Sequence, residues 1–250
     1  MIPVSLRPLA LAMIMLLATL TTAWAQSNVA DERAFRRGAD DYAAGDFAGA
    51  LDEWRALALK GHVGSMNNVA IMYAQGKGTA ANPELAFVWY RRASDAGNPL
   101  AMLNLGISYE QGRGVDADDR EAARWYLRAA RNQLTEGMNA LAWLLATSPD
   151  PEVRDGAEAV RWARTAVERE PNAARLDTLA AAHAEAGEFE DAIAAIDQAI
   201  DLLKRDAEVP EDISGEDEIL EFLRQEGHAE ELDTLLERQA QFRNGQAIRD

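Results

Sequence analysis

Three histidines, His62, His183 and His228, stand far apart in this 250-residue chain, with no His-Glu-x-x-His pair and no cysteine to join them. Zinc needs such ligands at short, regular spacing, so no metal site is expected. Asp116, Asp118 and Asp119 look like the opening of a calcium loop, but the Gly and the closing Glu of that loop are missing. Carboxylates placed there suit the positive end of a following helix instead. The run Asp212–Glu218 is carboxylate-rich in the same way and has no loop register either. No serine lies in a Gly-x-Ser-x-Gly or Ser-x-x-Lys setting. Gly76-Lys77-Gly78 and Gly112-Arg113-Gly114 invite a phosphate-binding reading, yet neither completes a phosphate-loop signature or follows a strand. Each reads as a helix stop and a turn. Neither catalysis nor a cofactor is expected from these residues.

The two Gly-x-Gly strings belong to a repeat. Residues 61–96 laid over 97–132 without a gap give 14 identities in 36 pairs, including Asn68/Asn104, Tyr73/Tyr109, Gln75/Gln111, Gly76/Gly112, Trp89/Trp125 and Tyr90/Tyr126. Unrelated sequence would give about two or three. A period of this size marks one supersecondary unit stacked on copies of itself, an architecture used mostly for binding. Within a unit the pattern is helix, turn, helix. Asn98-Pro99 is an N-cap followed by proline at the first helical position, and Asn82-Pro83 opens the second helix of the preceding unit. Met102, Leu105, Ile107 and Tyr109 form one apolar face, and Gly112 ends that helix. Ala122, Trp125, Tyr126 and Ala129 mark the next one. The recurring Trp89, Trp125 and Trp162, with Tyr90 and Tyr126, form a stripe that could hold a ligand; the reading preferred here is packing between neighbouring helix pairs.

The string Met102-Leu-Asn-Leu-Gly106, Tyr109, Gly112-Arg-Gly-Val115, Ala122, Trp125-Tyr126 and Ala129-Ala130 resembles a Sel1-like repeat, a relative of the tetratricopeptide repeat. Residues 61–96 depart from it mildly, with Ala70 where Gly is usual and Thr79 where Val is usual. Upstream, Gly38 to Trp54 resembles a first tetratricopeptide-like repeat. Downstream, Leu141–Ala146 with Ala159, Trp162 and Ala166 resembles another, with a longer loop at Thr147–Gly156, and Leu179 to Ile200 resembles a further one. The resemblance implies an all-α fold, an α-α superhelix built as a right-handed solenoid of Sel1-like and tetratricopeptide-like helix pairs. It also implies that first helices line a groove in which asparagines hydrogen-bond an extended peptide. Asn68 and Asn104 match that place, with Gln75 and Gln111 extending the polar row. An amide carries both donors and acceptors and can read a backbone without requiring a given side chain.

The first 25 residues read as a cleavable signal: Arg7, an apolar run from Leu9 to Leu20, then Ala23-Trp24-Ala25. With no cysteine for a lipid anchor or a disulfide, a soluble periplasmic protein held by packing alone is expected. Net charge is −17, of which −11 falls between Asp206 and Asp233. Nucleic acid and anionic membranes are therefore excluded as expected partners. The expected organisation is a signal over 1–25, a repeat array over 26–204, a polar linker over 205–214 and an acidic helical cap over 215–250. The function expected is an exported scaffold that binds a protein or peptide and acts as an adaptor. The alternatives are a binder of cell-wall fragments or envelope enzyme, and a self-associating structural element.

Overall fold

The structure, a computed structural model, describes residues 29–249 apart from 211, 212 and 214 and the side chains of 216 and 217. The signal expected over residues 1–25 lies outside the described residues. Among those described there is no strand, and no helix is long and apolar enough to cross a membrane. The chain forms two compact units, one ending at Ala96 and one beginning at Gly97.

The first unit contains α1 (29–44), α2 (Phe47–Leu59), α3 (Val63–Gln75) and α4 (Pro83–Asp95). Trp54 fixes α2 to α1: its indole N–H donates to the Phe35 carbonyl at 3.1 Å, and its ring lies where a Cβ on Gly38 would stand. In this unit α3 and α4 are each started by a side chain. The Asn82 amide oxygen accepts from Leu85 N at 2.8 Å, and His62 Nδ1 accepts from Ser65 N at 3.2 Å. Gly76 closes α3 in the left-handed conformation, φ +67°, which a side chain would disfavour. Leu51, Trp54, Leu57, Val69, Met72, Tyr73, Trp89 and Tyr90 form the core.

The second unit contains three helix pairs, α5 (Pro99–Glu110) with α6 (Asp119–Arg131), α7 (Thr135–Thr147) with α8 (Gly156–Arg169), and α9 (Ala173–Glu185) with α10 (Phe189–Asp206). Each pair packs on the next, and α7 also packs directly on α9. The helices approach closely because the contacting positions are small: Ala122, Ala129, Ala159, Ala163, Ala166, Ala192 and Ala199 are fully buried. The capping expectation at Asp118 holds, its carboxylate accepting from Arg120 N and Glu121 N. The long loop after α7 is tied down by Arg154, which donates to the Ser148 carbonyl at 2.7 Å, and by Arg120, which pairs with Asp150 and Glu152.

After the third pair come α11 (Glu216–Leu223), a kink over Arg224–His228 in which Gly227 takes φ +96°, and α12 (Ala229–Arg243). Helix α10 continues through Asp206, beyond the 204 limit that polar composition suggests for the array. Leu203 is buried, and Lys204 and Arg205 complement the negative end of the helix. Leu223, Leu232, Leu235 and Phe242 bury themselves against α9 and α10, closing the apolar end of the array.

Candidate binding surface

The four amides singled out in the sequence lie on first helices, two in each unit. Asn68 and Gln75 belong to α3; Asn104 lies in α5 and Gln111 immediately follows it. Each glutamine follows its asparagine by just under two helical turns, so the two share a face. Both asparagines are half-buried and both glutamines are exposed. Asn104 also accepts the Ser108 hydroxyl on its backbone carbonyl at 2.8 Å. The row does not continue into α7, where Ala140 occupies the position equivalent to Asn68 and Asn104. Asn68 and Asn104 belong to separate units.

The face made by α7 and α9 is built from different chemistry. Trp143 stands on α7 where the two earlier first helices carry Ile71 and Ile107. The Arg238 guanidinium of α12 lies 4.8 Å from the centre of its ring and pairs with Asp177 of α9. Further along α9, Glu185 accepts from Arg154 Nε at 3.0 Å on one oxygen and faces Arg249 Nη1 at 2.7 Å with the other. Ile248 packs against both apolar clusters of the unit. Sequence reading missed this assembly, because its members lie on five different segments of the chain. The available signal was a tryptophan on a first helix, when Trp89, Trp125 and Trp162 recur on second helices.

The remaining candidates resolve as packing and turns. Trp89 and Trp125 are buried, with Arg92 and Arg128 stacked 4.8 and 4.3 Å from their ring centres. Trp162 is partly buried and donates to Glu158 at 2.7 Å. Gly78, at φ +72°, leaves no room for a side chain: a Cβ would stand 2.3 Å from the Phe47 carbonyl oxygen. Lys77 is engaged by the Tyr42 hydroxyl and lies over the Tyr42 and Phe47 rings. Of the histidines, His183 meets Glu188 at 2.6 Å across the turn from α9 to α10, with Asp191 close by. This pair fixes the turn, while both carboxylates face solvent. Tyr126 donates to Glu110 at 2.5 Å, and burial, then the Glu110 charge, pushes its phenol well above the usual range.

Comparison with known proteins agrees with this architecture. A family model described as the Sel1 repeat matches three times, at residues 63–98, 99–134 and 135–170. Among solved structures, a Sel1 repeat protein from Oxalobacter formigenes aligns with a TM-score of 0.53 at 22% identity, covering 78% of this chain and 99% of that one. A protective antigen of uropathogenic Escherichia coli strains, displaying an SLR fold, aligns at 0.38 and 21% identity over 79% of this chain and 53% of its own. The TPR2AB-domain:pHSP90 complex of yeast Sti1 aligns at 0.33 and 19% identity over 86% and 100%. The first of these likenesses shows a shared fold. No curated protein matches the sequence.

Proposed function

We propose that this chain, a Sel1-like repeat protein related to the tetratricopeptide repeats, is an exported scaffold that binds a protein or peptide along its first helices and serves as an adaptor. The observation that carries the reading is the matched placement of Asn68 with Gln75 and of Asn104 with Gln111, each an asparagine and a glutamine aligned along one helix face. Amides in such a row can pair with both the N–H and the C=O groups of an extended backbone. The leader pattern of residues 1–25 supports export, and the charge of −17 favours a partner of neutral or basic character.

The test is affinity capture of the chain beginning at Gln26 from its own envelope extract, beside the Asn68→Ala, Asn104→Ala double variant. A protein retained by the first and lost by the folded second supports the adaptor. Recovery of the chain alone, or of wall fragments, replaces it with self-association or with wall binding.

A further inference from the structure

Arg238, Ile248 and Arg249 converge on the face formed by α7 and α9, and each meets a group suited to it. The receiving side is made for cations: an aromatic face at Trp143 and two carboxylates, Asp177 and Glu185, whose side chains are only 16% and 14% exposed. Positive partners offset the hydration that carboxylates so deeply set have lost. Guanidinium is the cation of choice there, because it is planar and weakly hydrated.

The two arginines are held differently. Arg238 rides on α12, which Leu235 and Phe242 anchor in the core. Arg249 belongs to a segment without helical structure that leaves α12 through a turn, where Gly245 has φ +69° and Gln246 N donates to the Gln241 carbonyl at 3.1 Å. Beyond that turn, Ile248 packs among the apolar clusters and Arg249 reaches Glu185, its own side chain 47% exposed. The first contact belongs to the folded cap. The second is a short irregular segment, an aliphatic residue followed by arginine, laid against the helical face.

We propose that the α7–α9 face is a binding site for a peptide segment carrying an aliphatic residue followed directly by arginine. Ala247–Arg249 is its resident occupant, and a partner segment of the same chemistry binds by displacing it. Charge complementarity selects this partner: Arg238 of the folded cap already covers Trp143 and Asp177, and displacing Arg249 leaves the second Glu185 oxygen to receive a guanidinium, in a protein that is strongly acidic overall. The inference rests on the scaffold reading and names the chemistry of a partner. It uses neither Asn68 nor Asn104, so the two stand or fall separately.

A tethered occupant competes at an effective concentration on the order of millimolar, so a free peptide binds the unaltered chain weakly. The probe is a fluorescent hexapeptide of the sequence of residues 244–249, Asn-Gly-Gln-Ala-Ile-Arg, followed by anisotropy with the full chain. The Ile248→Asp, Arg249→Asp double variant, which vacates the site, should bind the probe at least about tenfold tighter than the unaltered chain. Adding Glu185→Gln should remove that gain. A second probe with glutamate in place of its arginine should fail on the vacated site, a control that requires no further protein variant. Equal binding by the unaltered and vacated chains overturns the proposal, as does tight binding of the glutamate probe. A mass that doubles with concentration only when Ile248 and Arg249 are intact also overturns it, because the segment would then serve a second copy. Capture of the same partner by the unaltered chain and by the Asn68→Ala, Asn104→Ala variant, alongside normal probe exchange, would reject the amide-groove reading and leave this site standing.

Discussion

Gly106 lies against the face of Tyr126: a Cβ at residue 106 would stand 2.4 Å from Cε1 of that ring. The missing side chain lets α5 approach α6 closely enough for the Tyr126 hydroxyl to reach Glu110, one turn further along α5. One glycine thus sets the spacing of a helix pair and places a buried hydrogen bond.

Gly106→Ala should destabilise the protein. Replacing a helical glycine by alanine gains about 1 kcal/mol in propensity. Forcing a methyl into a packed aromatic contact costs about 1–3 kcal/mol. The contact is too short for the ring to absorb, so overpacking wins, and urea denaturation should give a lower midpoint than for the unaltered chain. An unchanged or higher midpoint would show that α5 and α6 can slide apart.

The phenol of Tyr126 carries a pH prediction. Its folded pKa is raised above the ordinary 10.0, first by burial and then by Glu110. Its contribution to stability is complete below that unfolded value and falls as pH rises beyond it, because only the unfolded chain then releases the proton. The loss per pH unit approaches about 1.4 kcal/mol. Urea titrations on either side of pH 10 should show this slope for the unaltered chain and a shallower one for Tyr126→Phe. Parallel slopes would remove Tyr126 from the account.

Arg120 should order a loop rather than stabilise the whole fold. It pairs with Asp150 and Glu152. The Glu152 backbone N–H, and after it Arg120, hold the Asp150 carboxyl below its ordinary value. Arg120→Ala should speed amide exchange at Val153 and Asp155, with the melting temperature nearly unchanged, as expected of a solvated ion pair. The stability contributed by Asp150 is present above its ordinary pKa of 3.8 and is lost as pH falls through the lower folded value.

The asparagine caps should matter far more than the asparagines of the proposed row. Asn82→Ala or Asn98→Ala removes an acceptor for a helix-opening N–H and should cost about 0.5–2 kcal/mol. Asn68→Ala, a half-buried position, should stay within roughly 0.5 kcal/mol. Comparable losses from both kinds of substitution, read by chemical denaturation, would make Asn68 a structural residue.

The helix pairs and most of their caps were legible in the sequence alone. These are local properties: Asn82, Asn98, Asp118 and Gly76 act on backbone groups a few residues away, and the 36-residue period repeats the same local solution. The sequence also showed that Trp89 and Trp125 recur at one register, which fits their burial. What covers the face of α7 and α9 was legible only once the chain's path was known. Trp143, Asp177, Glu185, Arg238 and Arg249 have no common period, and their pairing depends on where α12 comes to rest on α10 and where the chain turns at Gly245. A repeat pattern can state which face each helix buries. It cannot state which distant charge will neutralise a carboxylate, because that follows from the path of the chain through space.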